Sequence, residues 1–242
     1  MKKILVATDK PFAKIAIEQI REIVEGAGHQ LVLCEKYTSP QQLIDAVKDV
    51  NAMIVRSDLV TKEVVEAAKE LKIVVRAGAG YDNLDLEACS AKGVVAMNTP
   101  GQNANAVAEL VFGMMVLMAR NNYNGTSGTE LRGKKIGIHA YGNVGYYVAK
   151  VAKGFGMDVY AFDPFVSRDK MVSDGIIPVD TVEELYKTCQ YVSLHIPATE
   201  KTKKSINYDL LSQMPKGAVL INTARKEVIH EEELVKIMED RA

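Results

Sequence analysis

An α/β protein built on parallel sheets is the fold this sequence predicts, and two observations predict it. Apolar runs of strand length alternate with amphipathic segments of helix length from one end of the 242 residues to the other, the pattern of successive βαβ units. One stretch, KKIGIHAYGNVGYYVAKVAKGFGMDVYAFDP, also sets a strand, a tight turn, a helix and a second strand ending in an acid in the order of a dinucleotide-binding fold, around residues 135–163.

The first part carries strand-like runs at Lys3–Ala7, Gln30–Cys34, Ala52–Arg56, Ile73–Arg76 and Val94–Met97. Helical patterns lie between them at Phe12–Gly26, Gln41–Asp49, Thr61–Leu71 and Asp85–Lys92, with Gly26 and Gly93 near helix ends, where a left-handed residue is wanted. Asn98-Thr99-Pro100-Gly101 is turn-like punctuation and places the domain crossing there, giving domains over 1–101 and 102–242. Next comes a long helix, about Ala104 to Arg120, apolar on most faces and so expected to be buried, with Met114, Met115, Leu117 and Met118 as core packing. A polar, Gly-bearing loop is expected at Asn121–Gly128. The alternation then resumes, with strands at Lys135–Ala140, Asp158–Phe162, Ile177–Val179, Tyr191–His195 and Ala218–Asn222. Helices are expected at Val144–Gly154, Thr181–Cys189, Tyr208–Met214 and Glu231–Glu239.

Composition narrows the function classes. Lys plus Arg is 30 and Asp plus Glu is 31, so no cationic excess points to nucleic acid or a membrane surface. The apolar run Ile4 to Ala7 is too short for a signal peptide and reads as a first strand, and no stretch approaches a membrane span. Cys34, Cys89 and Cys189 are few, odd in number and far apart, which suits reduced thiols in the cytoplasm, with no metal or disulfide framework.

The nucleotide turn makes specific physical demands. Backbone must approach a diphosphate closely, so Gly142 lacks a Cβ; the helix must pack tightly on its sheet, which Gly145 permits. The amides of Asn143, Val144 and Gly145, with the helix dipole, then favour the diphosphate. Asp163 lies 163 − 145 = 18 residues after the last glycine, near the roughly 20 expected of an acid that bonds the adenosine ribose and repels a 2′-phosphate. NAD is therefore favoured over NADP. One position departs from GxGxxG: Ala140 stands at the first glycine, at some cost in freedom at the turn. The alternatives are a βαβ turn without a ligand, and a plain turn at Asp163-Pro164.

Ligands gather beyond the carboxyl ends of parallel strands, which brings forward Arg225, shortly after the strand ending at Asn222. The alternative is a surface arginine near a helix start. The small residues Ala77-Gly78-Ala79-Gly80 after Arg76 would leave backbone amides free to meet an anion. Arg56 and Arg76 could equally be solvated strand ends. Asp82-Asn83 is expected to fix its loop by local hydrogen bonds. His139 reads as a core or strand residue, and His29 and His230 as surface or capping positions.

The motifs taken together resemble a known family, the NAD-dependent D-isomer 2-hydroxyacid dehydrogenases, and most closely its phosphoglycerate dehydrogenase branch. The likeness rests on VRAGAGYDNLDLEACSAKGVVAMNTPGQNANAVAEL (Val75–Leu110), the nucleotide turn, His195-Ile196-Pro197, and LINTARKEVIHEEEL (Leu220–Leu234). It implies a flavodoxin-like substrate domain followed by a Rossmann-type doubly wound NAD-binding domain, incomplete at its C-terminal end. It implies that Arg225 is the catalytic arginine, gripping the substrate carboxylate and polarising the adjacent carbonyl. That planar, bidentate task suits guanidinium better than lysine. It further implies that Arg56, Ser57, Arg76, Gly78 and Asn103 face substrate. Ala79, Ala140, Gly142, Asn143, Val144, Gly145, Asp163, His195, Ile196, Pro197, Thr223 and Ala224 would line the cofactor, with His195 not the proton carrier. Glycine usually follows this arginine in the family, and Lys226 stands here.

The same resemblance implies a catalytic histidine with a carboxylate partner, lying after the equivalent of Glu239. None of the four histidines falls in a matching motif, so the chain is expected to be a fragment with little dehydrogenase activity of its own. The expected reaction is oxidation of 3-phosphoglycerate to 3-phosphohydroxypyruvate in serine biosynthesis, by a cytoplasmic homodimer acting on a small anionic hydroxy acid. Its alternatives are glyoxylate or hydroxypyruvate reductase, D-lactate dehydrogenase, and an NAD-binding module without catalysis.

Overall fold

The computed structural model describes residues 1–241 and divides into two compact units, Met1–Gln102 and the residues from Asn103 onward. The first runs β1 (Lys3–Thr8), α1 (Lys14–Gly26), β2 (Gln30–Glu35), α2 (Pro40–Ala46), β3 (Ala52–Val55), α3 (Lys62–Ala67), β4 (Ile73–Arg76), α4 (Leu86–Ala91) and β5 (Val95–Asn98). Its strands are all parallel, in the order β2-β1-β3-β4-β5, which is the flavodoxin-like order. Leu5, Met53, Val55, Val65 and Val74 are fully buried in its core. Asp85 caps α4 by accepting the Ala88 N–H at 2.9 Å, and Gly93 beyond it takes φ 67°, the left-handed stop the sequence called for. At the end of α1 that role falls to Gly28, φ 75°. Gly26 is instead the last helical residue, so the expectation for it is corrected by two positions. Helix α3 is shorter than its apolar pattern, because Ala68 leaves helical geometry at ψ 85°.

The second unit runs α5 (Ala104–Ala119), β6 (Lys135–His139), α6 (Asn143–Gly154), β7 (Asp158–Phe162), α7 (Arg168–Ser173), β8 (Ile177–Pro178), α8 (Val182–Thr188), β9 (Tyr191–Leu194), α9 (Tyr208–Leu211), β10 (Val219–Asn222) and α10 (Glu231–Asp240). These strands are also parallel, in the order β10-β9-β6-β7-β8. The order reverses between β6 and β9, the switch point of a Rossmann sheet, where crevices open beyond the carboxyl ends of the strands. Ile136, Ile138, Val192 and Leu194 are wholly buried, as expected of central strands covered on both faces.

Two helices of this unit differ from what the sequence led one to expect. Helix α5 is not buried all round: Ala108, Val111, Phe112 and Met115 pack inward, whereas Leu117 and Met118 are 40% and 49% exposed. Composition shows that the helix is apolar but not which of its faces packs inward. Helix α7 was not anticipated; Ser167 starts it by accepting the Lys170 N–H at 3.3 Å, and its six residues are too few for a visible period. The expected Asn121–Gly128 loop opens with a single 3₁₀ turn, Asn121–Tyr123. Among the described residues no helix is long and apolar enough to cross a membrane, and no group of acidic, histidine and cysteine side chains could hold a metal ion.

Candidate functional site

The nucleotide turn leaves β6 at its carboxyl end and enters α6. Gly145 sits where a Cβ would stand 2.4 Å from the Ala140 carbonyl oxygen and 3.0 Å from Ile138 Cγ2, so only glycine lets the helix lie this close to the strand. Gly142 has the opposite surroundings: nothing of the protein lies within 4 Å of a Cβ built there. It is the N-cap of α6, with no side-chain capping bond, and no acid lies in the first turn. The start of α6 therefore has open space at Gly142 and no side-chain cap or first-turn acid, and the helix dipole adds positive potential there.

Asp163 stands just past β7 and is tied to the turn. Its Oδ2 accepts the Tyr141 N–H at 2.8 Å and its Oδ1 the Phe165 N–H at 2.8 Å. A carboxylate has further lone pairs for a sugar hydroxyl, so the residues fit a dinucleotide. Ala140 holds φ 81°, the left-handed conformation for which the usual glycine is suited.

Two more strands of the same sheet bring their carboxyl ends beside this turn. His195 follows β9, and its N–H donates to the His139 carbonyl at 2.9 Å. One ring nitrogen, Nε2, lies 3.0 Å from Ser193 Oγ, and Nδ1 lies 3.4 Å from Thr223 Oγ1 past β10. Burial pushes the His195 pKa down to about 4, with nearby His139 adding to the shift. His139, also buried, is likewise pushed down to about 4 against a small opposing pull from Asp163; its Nδ1 meets the Tyr186 hydroxyl at 3.3 Å. Both rings are neutral at pH 7. After β10, Asn222 folds back on its own loop: Oδ1 accepts the Ala224 N–H at 2.9 Å and Nδ2 donates to the Arg225 carbonyl at 3.1 Å. That closure presents half-buried Arg225 at the sheet's edge.

In the first unit, Arg76 ends β4 and Arg56 directly follows the neighbouring β3. Arg56 donates to the carbonyls of Lys10 and Pro11 at 3.0 and 3.2 Å, and stacks over Phe12. Arg76 Nε donates to the Arg56 carbonyl at 3.1 Å. Its guanidinium lies across Gly78, where a Cβ would come within 1.5 Å of it. Asn83 Nδ2 bonds the carbonyls of Arg56 and Asp58 at 3.3 and 2.7 Å, tying the loop that carries exposed Ser57. Ala79 is held through its carbonyl by Asn98 at 2.7 Å. Asn103 stands at the N-cap of α5 and makes no capping bond.

Apart from Asn103, which opens α5 at the start of the second unit, the candidates fall into two groups, one at the carboxyl edge of each sheet. Sequence reasoning passed over three residues. Asp58, 6% exposed, accepts from Asp9 N–H, Tyr37 hydroxyl and Arg56 N–H at 2.8, 2.5 and 3.2 Å. Ser193 orients His195, and the strand alternation that puts residues two apart on one face was the available signal. Asp174 accepts the Tyr141 hydroxyl at 3.1 Å; no local pattern marks a pair 33 residues apart.

Comparison with known proteins follows this geometry. Residues 106–242 match the NAD binding domain of the D-isomer specific 2-hydroxyacid dehydrogenases. The chain is 35% identical to D-3-phosphoglycerate dehydrogenase of Methanocaldococcus jannaschii, over 99% of this chain and 47% of the relative. With hydroxypyruvate reductase of Thermotoga maritima the identity is 37%, over 85% of this chain and 70% of the relative. The solved NAD+-bound 3-phosphoglycerate dehydrogenase of Entamoeba histolytica superposes with a TM-score of 0.92 at 46% identity, covering 99% of this chain and 77% of that one. The chain spans about half the length of the archaeal dehydrogenase.

Proposed function

The chain belongs to the D-isomer specific 2-hydroxyacid dehydrogenase family, and on that premise we propose that it serves NAD-dependent oxidation of 3-phosphoglycerate to 3-phosphohydroxypyruvate. The observation that carries this is the uncapped start of α6 over the open space at Gly142. In this proposal residues 102–242 form the NAD-binding domain and also supply Arg225 and Asn103 to the substrate, while residues 1–101 form the substrate domain and supply Ala79 to the cofactor. Bound NAD supplies the acceptor for the hydride that leaves C2. The amides of Asn143, Val144 and Gly145 hold the diphosphate, with Ala140 shaping the turn, and Asp163 tethers the ribose. His195, Ile196, Pro197, Thr223, Ala224 and Ala79 line the cofactor. Arg225 grips the substrate carboxylate in a bidentate pair and draws charge from the carbonyl that forms. Arg56, Ser57, Arg76, Gly78 and Asn103 receive the rest of the anion. The hydroxyl proton passes to the histidine, paired with a carboxylate, that the family resemblance implies; neither His139 nor His195 takes it, since a ring with its pKa near 4 is a weak base at pH 7.

Support for phosphoglycerate comes from the two neighbouring arginines and from the relatives named above. The Thermotoga relative favours hydroxypyruvate reductase as the second reading. A panel of 3-phosphoglycerate, hydroxypyruvate, glyoxylate and D-lactate, with binding followed by calorimetry and turnover by NADH absorbance, tests both. Preference for an uncharged side chain would remove the phosphate assignment. Tight NAD binding with no oxidation by any longer form of the chain would leave a binding module. A cytoplasmic setting, in keeping with three free cysteines, and a homodimer complete the proposal; a sizing column on the purified chain tests the latter.

A further inference from the structure

The turn that meets the cofactor carries a strained residue, and the structure shows what restrains it. Ala140 is one of few non-glycine residues with positive φ, at 81°. For a residue with a Cβ this costs about as much as one good hydrogen bond gains. Its neighbour Tyr141 is buried in the core of the second unit and is fixed at both ends. The backbone N–H is held by Asp163 at 2.8 Å, and the hydroxyl reaches Asp174 at 3.1 Å. Asp174 is itself anchored at the end of α7: Lys170 pairs with its carboxylate and Lys153, on α6, donates to its carbonyl. Lys170 also lies over the Tyr146 ring, 5.5 Å from its centre. The Lys170 pair, then the Tyr141 hydroxyl, hold the Asp174 carboxyl below its ordinary range, so it accepts as an anion. Such a bond is stronger than one between neutral groups.

We propose that Tyr141 is a positioning residue for the cofactor, and that its hydroxyl bond to Asp174 latches the left-handed Ala140 turn in the shape that receives the diphosphate. The assignment rests on the cofactor reading above and adds the residue pair that maintains the site. Glycine at position 140 would make the latch dispensable, because glycine adopts positive φ at no steric cost. The latch and the alanine are therefore coupled: one compensates the other.

A double-mutant cycle on the full chain tests this, reading NAD affinity by calorimetry and amide exchange at Gly142–Val144 without nucleotide. Tyr141→Phe keeps the ring and removes only the hydroxyl; it should weaken NAD binding by about tenfold and quicken exchange in the turn. Introduced on top of Ala140→Gly, the same Tyr141→Phe change should weaken binding by less than about threefold relative to Ala140→Gly alone. Equal losses from Tyr141→Phe in both backgrounds would overturn the coupling. So would unchanged exchange in the turn, even with a lower melting temperature, since that is what a merely structural hydroxyl predicts. Should Tyr141→Phe fail to fold, Asp174→Ala keeps the buried ring, removes the acceptor of its hydroxyl and gives the same readouts. Exchange that quickens while the unaltered chain binds no NAD would keep the latch and sink the cofactor reading instead.

Discussion

Gly142 and Gly145 stand in one turn and answer to different neighbours, so substitution separates them. Gly145→Ala places a methyl against the Ala140 carbonyl at 2.4 Å, and helix and strand must part. A loss of about 1–3 kcal/mol is expected in urea unfolding of the apo chain. Gly142→Ala meets no protein atom and should cost less than about 1 kcal/mol, the usual penalty of alanine at an N-cap. Its effect falls on NAD, whose affinity should drop at least tenfold by calorimetry. Equal stability losses in the two variants would mean that the cradle at Gly142 is not open. In the first unit, Gly78→Ala displaces the Arg76 guanidinium that lies 1.5 Å from the new methyl position. Affinity for 3-phosphoglycerate should fall about tenfold while the melting temperature holds; an unchanged affinity would remove Arg76 from the substrate set. Much of this was legible beforehand. Gly142, Gly145 and Asp163 announced themselves by spacing, because a diphosphate imposes fixed steric demands on consecutive residues. Asp58 and Asp174 did not, because their partners are brought together only by the crossovers between strands.

Helix α5 shows the limit of pattern reading at the level of an element. Its sixteen residues contain no charge except Glu109, so no polar stripe betrays which side faces outward. Packing decides it: Met115 is fully buried, while Leu117 and Met118 are not. Met115→Ala should therefore cost about 2–5 kcal/mol, whereas Leu117→Gln should stay within about 0.5 kcal/mol for the isolated protomer. Urea unfolding at low protein concentration checks the contrast, and a large cost for Leu117→Gln would show that this face has a partner. Helix α6 was anticipated almost to the residue because glycines and the following strand bracket it. Helix α7 escaped notice because six residues show too little of a period.

For the molecule as a whole, acid should be destabilising in a definite window. His139 and His195 have folded pKa values of about 4 against 6.5 in the unfolded chain, so the unfolded state takes up protons first as pH falls. Their contribution is intact above pH 6.5 and is lost progressively on the way down to pH 4, by up to about 3 kcal/mol per ring. Urea midpoints measured across that range should decline, and His139→Asn should flatten the slope; a flat profile in the unaltered chain would mean the rings are not buried neutral. Strand content was legible in the sequence, but strand order was not, since alternation names the strands without ranking them; the β2-β1-β3-β4-β5 order came only with the resemblance. One asymmetry has a consequence for how such a protein can change over time. Tyr141 and Ile196 belong to the core clusters of the second unit, whereas Arg56, Ser57, Arg76 and Gly78 lie outside the cluster of the first. On the proposed reading, a lineage built on this scaffold can exchange one acid for another, or one coenzyme for another at Asp163, by editing loops at little cost in folding. Tyr141 and Ile196, by contrast, can vary only at the expense of the core.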